Sequence, residues 1–323
     1  MKFRTEYKTV RAPFTLSPDS PIVLTGSCFA DNIGACMRGA LWNAVNPFGV
    51  LFNPLSIANA IGMALDRERG VSRFENSLFE SDGIWHSWLF DTRMSALRPD
   101  EMRRRFKNMT ESFRNFTAEG KTLCVTFGTS YCYFLSGMDG YAVANCHKRP
   151  EKLFERKRIS VNEICDVWNP LVDRLLSEFP ALRLIFTVSP VRHVRDGLHQ
   201  NRLSKATLLL AVDQLCADHE QCCYFPAYEI LEDDLRDYRF YASDLVHPSA
   251  DAEKYIWEIF QQTYLDERGR RILSEGTSLV ARINHRPLVA ADPRNELFAR
   301  ETERLLSDFY RRFPAALRLP EMA

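Results

Sequence analysis

A chain of 323 residues with 46% hydrophobic and 26% charged residues can fill the core of one large α/β domain or two smaller ones and need not be disordered. Lys plus Arg equals Asp plus Glu at 42 each, so no general attraction to nucleic acid or to an anionic membrane surface is expected. No stretch approaches the roughly 18 apolar residues of a membrane span, and the polar start MKFRTEYKTVRAPF has no apolar signal core. The nine cysteines, without a C-x-x-C pair, fit a reduced, cytoplasmic protein.

Pro21–Thr25 reads as a short apolar strand that runs into the small-residue turn Gly26-Ser27-Cys28-Phe29 and then into a helix. Leu41–Val45 reads as a second strand. Residues 70–118 read as an insertion after it, irregular and then helical, with Arg103-Arg104-Arg105 as a solvated helix face. Leu123–Phe127 is the third strand candidate. Tyr131–Leu135 and Tyr141–Asn145, with Ser136-Gly137 and Asp139-Gly140 between them, predict a hairpin beside the sheet. In 162–178, Ile164, Val167, Trp168, Leu171 and Leu175 line one helix face. Leu182–Val188 is the fourth strand. Leu203, Ala206 and Leu210 predict a helix over 201–216, and Cys222–Phe225 is the fifth strand. Ala252, Ile256, Ile259 and Phe260 form a helical stripe behind Ser249 as N-cap.

Strands alternating with amphipathic helices predict a parallel sheet covered on both faces. From about residue 265 the alternation ends, and Phe298, Leu305 and Phe309 share a face of a helical tail. The expected division is 1–264 as the α/β domain and 265–323 as a helical extension packed on it.

Two segments bear chemistry. The strand-to-helix turn at Ser27 stands at the carboxyl edge of the sheet, where open α/β folds bind ligands. Backbone N–H groups and the helix dipole there can stabilise an oxyanion. Ser27 could equally be only a helix cap. Cys28 is a rival nucleophile; the expectation is that Ser27 faces the cleft and Cys28 turns into the packing. Asp244-Leu245-Val246-His247 places a carboxylate and an imidazole three residues apart in a turn, so that Asp244 can hold Nδ1 and leave Nε2 free as a base.

The order of these segments resembles the SGNH/GDSL hydrolase superfamily. More closely, the chain resembles the GSCFA family, whose pentapeptide stands here as Gly26–Ala30. The resemblance runs through Asn46-Pro47-Phe48-Gly49, Asn53-Pro54, Asn145-Cys146-His147-Lys148, Thr187-Val188-Ser189-Pro190-Val191-Arg192-His193 and Tyr224–Glu229, covering about residues 1–260. It implies Ser27 as nucleophile, His247 as base and Asp244 as its orienter. It also implies oxyanion donors from the Ser27 N–H, the Gly49 N–H and an Asn side chain after the third strand. That strand ends in Gly128-Thr129-Ser130-Tyr131 where the superfamily has Gly-x-Asn-Asp, so Asn145 is the expected substitute if the hairpin folds over the site. Asn145 could also be a strand-end cap.

His147, Arg192 and His86 are candidate substrate contacts. Arg192 could instead pair with Asp196 or Asp237, and His147 could be a structural, hydrogen-bonded imidazole. Trp85 and Trp88 around His86 suit a sugar-stacking wall or a core. His193 and His199 lie at no metal-ligand spacing, and no Gly-x-x-x-x-Gly-Lys or Gly-x-Gly-x-x-Gly occurs, so neither a metal nor a nucleotide cofactor is expected.

The expected fold is a flavodoxin-like three-layer α/β sandwich with a mostly parallel five-stranded sheet. The expected function is a cofactor-independent ester hydrolase or acyltransferase acting on a small-molecule or carbohydrate ester. The alternative is an inactive module of the same fold that binds an acyl or glycan ligand. The sequence leaves the oligomeric state open.

Overall fold

The computed structural model describes residues 4–136, 142–289 and 292–319. The first strand, β1 (Ile22–Gly26), is buried along its whole length. It turns directly into α1 (Cys28–Arg38), capped by Ser27. Gly26 makes this turn possible: its φ is +124°, and a Cβ there would stand 2.1 Å from the Thr126 carbonyl oxygen.

The second strand is shorter than expected, β2 (Ala44–Val45). Leu41 leaves it because its φ is 58°, and its side chain packs with Ile272, Leu279 and Phe309 of the C-terminal helices instead. The chain after β2 is more regular than its sequence suggests. It forms α2 (Pro54–Leu65), with Asn53 as N-cap and Pro54 in the first turn, then α3 (Arg67–Asn76). A hairpin of β3 (Leu78–Ser81) and β4 (Ile84–Ser87) follows. The long helix α4 (Pro99–Gly120) leads back to the sheet. Arg103 on its outer face pairs with Glu75 and Asp100.

β5 (Thr122–Phe127) enters the sheet beside β1. Next come β6 (Tyr131–Leu135), β7 (Ala142–Val143) and β8 (Phe154–Arg158), a small antiparallel sheet with β6 in the middle. The expected hairpin is there, with Tyr141 outside the described residues; β8 had no sequence signal, since Phe154-Glu155-Arg156-Lys157-Arg158 is mostly charged. α5 (Val161–Glu178) is held at its start by a Ser160–Glu163 capping box. Val167, expected on its buried face, is 40% exposed.

β9 (Arg183–Val188), α6 (Leu198–Asp218) and β10 (Cys222–Phe225) continue the alternation. A short turn of helix, α7 (Ala227–Glu229), opens the loop that carries the Asp244–His247 segment. α8 (Ala250–Tyr264) follows, with Ser249 as its N-cap. α9 (Glu267–Ile283) and α10 (Arg294–Arg312) form the tail. α9 presses so close to the body that a Cβ at Gly276 would meet the Ala40 carbonyl at 2.1 Å.

The main sheet has the order β10-β9-β5-β1-β2 and is parallel throughout. This is the flavodoxin-like α/β order, in which the strand order reverses beside the first strand and ligands sit at the carboxyl ends there. One core fills the side of the sheet under α2, α4, α5 and α6. A second fills the side under α1 and α8. Among the described residues no helix is long and apolar enough to cross a membrane.

Candidate active site at the carboxyl edge of the sheet

The turn after β1 puts Ser27 between β5 and the start of α1. Its side chain is 0% exposed, and its Oγ accepts the Phe29 N–H at 3.3 Å. Its own N–H donates to the Thr126 carbonyl at 3.2 Å, so this N–H does not face the cleft as the resemblance implies. Cys28 packs against the α1–α8 core, half-buried, as expected, whereas Ser27 is buried and not exposed to solvent. Burial pushes the Cys28 thiol upward, and the carboxylates of Asp31 and Glu253 add to this. A thiol so disposed is not poised as a thiolate.

The second segment forms as its spacing predicts. His247 Nδ1 lies 2.6 Å from Asp244 Oδ2. Asp244 Oδ1 accepts the N–H groups of Val246 at 2.9 Å and His247 at 3.0 Å. These N–H groups and the imidazole hold the carboxyl down at about 2, so it stays ionised beside the ring. Both side chains are about half exposed. Among the described residues His247 Nε2 has no hydrogen-bond partner, and no hydrogen bond joins it to Ser27. Serine–base hydrogen bonds are often long until substrate binds. The loop is tied to the sheet edge by the Arg192 N–H, which donates to the Val246 carbonyl at 3.1 Å. His247 is within electrostatic reach of both Glu253 and His193. Glu253 hydrogen-bonds Asn32 on α1, so the base loop, α8 and α1 meet at one place.

Gly49 lies after β2, as expected, with a φ of 75°. Among the described residues its N–H makes no hydrogen bond. A network unforeseen from sequence fixes this loop. Asn46 Nδ2 donates to Asp31 at 2.7 Å and to the Gly49 carbonyl at 3.0 Å. Asp91 accepts the Val50 N–H at 2.9 Å, and Arg93 bridges Asp91 and Asp31.

The other expected contacts go elsewhere. Asn145 Oδ1 accepts the His147 N–H at 2.7 Å, the strand-end capping role. His147 Nε2 lies 2.9 Å from the Ser87 carbonyl, and His86 Nδ1 lies 2.7 Å from Ser95 Oγ. The two imidazoles pack on each other at 4.7 Å, next to Phe79 and Trp88. Trp88 is stacked on Phe79 at 3.7 Å, so its face is covered by protein. Among the described residues no hydrogen bond or ring contact joins His86 or His147 to Ser27, His193 or His247. Arg192 pairs with neither Asp196 nor Asp237. It lies 3.7 Å from Glu232 and over the Tyr241 ring at 3.9 Å, while Arg156 holds Asp196 at 2.6 Å.

A polar cluster on α6 was missed. Leu210 is 61% exposed and Ala206 faces solvent, against the expected stripe. The inward face instead carries Asn201, Ser204 and Lys205, all buried. Asn201 Oδ1 accepts the His193 N–H at 2.9 Å. Ser204 Oγ accepts the Ser130 N–H at 2.8 Å and bonds Thr129 Oγ1 and Ser130 Oγ at 3.1 Å. Lys205, 1% exposed, donates to the carbonyls of Gly128 at 2.6 Å and Ser189 at 2.7 Å. These side chains fasten the ends of β5 and β9 to one helix. The only sequence signal was the break they make in the apolar period of α6.

Among the described residues no three His, Cys, Asp or Glu side chains are grouped to hold a metal. The model of the GSCFA family matches residues 21–260. No protein of curated function matches the sequence. An acetyl xylan esterase (Est2A) from the rumen bacterium Butyrivibrio proteoclasticus is similar over 75% of this chain and 64% of its own, at 12% identity and a TM-score of 0.29. The chain thus matches less than two thirds of that esterase's length, and likeness at this level fixes neither fold nor chemistry.

Proposed function

The protein belongs to the GSCFA family, and we propose that it is a cofactor-independent serine ester hydrolase or acyltransferase. The observation that carries this reading is the Asp244–His247 pair: a 2.6 Å hydrogen bond on Nδ1, with Nε2 left without a partner among the described residues, at the edge of the sheet that holds Ser27. An ionised Asp244 fixes the tautomer in which Nε2 is the acceptor. Ser27 Oγ attacks the ester carbonyl, and its proton passes to His247 Nε2. The tetrahedral oxyanion is met by the Gly49 N–H. His247 then returns the proton to the leaving alcohol, and water or an acceptor alcohol repeats the sequence in reverse. The resemblance to SGNH/GDSL hydrolases favours acylated carbohydrate among ester substrates.

The burial of Ser27 favours one rival, a module that binds an acyl or glycan ligand without turnover. Hydrolysis of p-nitrophenyl acetate by the full chain separates the two. Turnover lost in both Ser27→Ala and His247→Ala, with unchanged circular dichroism, is the expected result. Turnover that survives either substitution removes that residue from the mechanism. No turnover in the parent protein leaves the binding module.

A further inference from the structure

Beyond β5, an oxyanion site of this kind needs a donor that neither Thr129 nor Ser130 supplies, because both hydroxyls are turned onto Ser204 of α6. A different group stands there. A Cβ placed on Gly128 would lie 3.3 Å from His193 Nε2, 3.4 Å from Ser27 Cβ and 2.8 Å from the Phe52 carbonyl. Ser27 Cβ and this imidazole nitrogen therefore both border the point beside Gly128 where glycine carries no side chain, and the Phe52 carbonyl closes it on a third side. Nε2 is shut off from solvent and, among the described residues, has no hydrogen-bond partner. A buried polar atom without a partner is costly unless a ligand supplies one.

The His193 main chain is fixed by Asn201, and its ring meets the edge of Phe52 at 5.8 Å. The aim of Nε2 is thus set by the fold before any ligand arrives, as electrostatic preorganisation requires.

We propose that His193 completes the oxyanion hole of Ser27, its neutral imidazole donating the Nε2–H to the oxygen that becomes negative as the acyl carbon turns tetrahedral. This role rests on Ser27 being the nucleophile. When the Oγ–C bond forms, the carbonyl π pair moves to oxygen, the Oγ proton goes to His247, and His193 keeps its own. When the C–O bond to the alcohol breaks, that pair returns and His247 releases its proton to the alcohol. A base at His193 would need to accept a proton near neutral pH. Burial, with Lys205, His247 and Arg156 facing it, instead pushes this imidazole down to about 3. A neutral imidazole acting as a hydrogen-bond donor has precedent in enolisation chemistry.

The test pairs two variants with one measurement on the parent protein. In p-nitrophenyl acetate hydrolysis His193→Ala should lose about 10²–10³-fold in kcat with little change in KM. His193→Gln, whose amide keeps an N–H donor, should recover part of that loss. The pH midpoint of kcat/KM should stay in place in both, and thermal unfolding checks that both are folded. Nitrogen-15 NMR of the parent protein should show His193 neutral at pH 7 with its proton on Nε2. Wild-type kcat in His193→Ala overturns the role, as does a proton on Nδ1. Loss in both variants with a moved pH midpoint makes His193 a base and also overturns it. A parent protein that cleaves no ester, while Ser27 stays unlabelled by a fluorophosphonate, overturns the functional reading and this role with it.

Discussion

Among the described residues two histidines each keep a ring nitrogen buried without a hydrogen bond of ordinary geometry, His147 Nδ1 and His193 Nε2. Both are pushed down by burial first of all. Their surroundings differ. The other nitrogen of His147 is bonded to the Ser87 carbonyl, and the ring is boxed in by His86, Phe79 and Trp88. That imidazole joins the β3–β4 hairpin to the segment after β7. His193 is held by a hydrogen bond to its main-chain N–H and by the edge contact of its ring with Phe52; among the described residues no hydrogen bond fastens the ring, which borders the point beside Gly128 and Ser27. An orphan nitrogen alone therefore separates nothing. What separates packing from chemistry is whether the ring is itself fastened, and what shares the space it faces.

The comparison breaks first at the nucleophile. Ser27→Ala and His247→Ala should each lower kcat by about 10⁶-fold, to assay background, as removal of a nucleophile or base does elsewhere. Activity retained in either would strip the Ser27 side of its chemistry and leave both histidines structural. Asp244→Asn comes next. It frees the imidazole to take the wrong tautomer, and steady-state kinetics should show a loss of about 10⁴-fold or less. A loss larger than that of His247→Ala would mean that Asp244 does more than orient.

Lys205, the cation facing His193, sharpens the comparison through stability. Burial holds it down to about 7 in the folded chain, against about 10.4 unfolded. A neutral amine still has the two N–H groups that Gly128 and Ser189 accept. Between those two values the unfolded chain carries the extra proton, so stability rises with pH across that window. Urea unfolding should show the wild type gaining on Lys205→Met, by at most about 4 kcal/mol, from about pH 7 to about pH 10. A gap that is flat in pH would mean that Lys205 is charged throughout.

The smallest effect belongs to the other histidine. His147→Ala leaves the Ser87 carbonyl without its ring partner and should cost about 1–3 kcal/mol of stability, read by thermal or urea unfolding. Its kcat/KM should fall by less than tenfold. A loss as large as that of His193→Ala would erase the distinction between the two sites.

Much of the architecture was legible because it is written in apolar runs. The strand at Leu123–Phe127, the helix over 162–178 and the Ser249 cap all follow from local pattern. The Asp244–His247 bond was legible too, since both partners lie in one turn. The α6 face was not. Asn201, Ser204 and Lys205 are buried for carbonyls and N–H groups of the loops after β5 and β9, and a period count of apolar residues assigns such a face to solvent. His193 was hidden for the same reason: its significance comes from Gly128 and Ser27, which only the β1–β5–β9 pairing brings beside it. Arg192 and Asn145 drew attention by type, but their bonds go to Glu232 and to the His147 N–H.

The most direct measurement is labelling of the full chain with a serine-directed fluorophosphonate, with the adduct mapped by mass spectrometry. The label should sit on Ser27. It should be absent from Ser27→Ala, strongly slowed in His247→Ala, and retained in Cys28→Ala. A label on another residue, or undiminished labelling of Ser27→Ala, would contradict the assignment of Ser27 as the nucleophile.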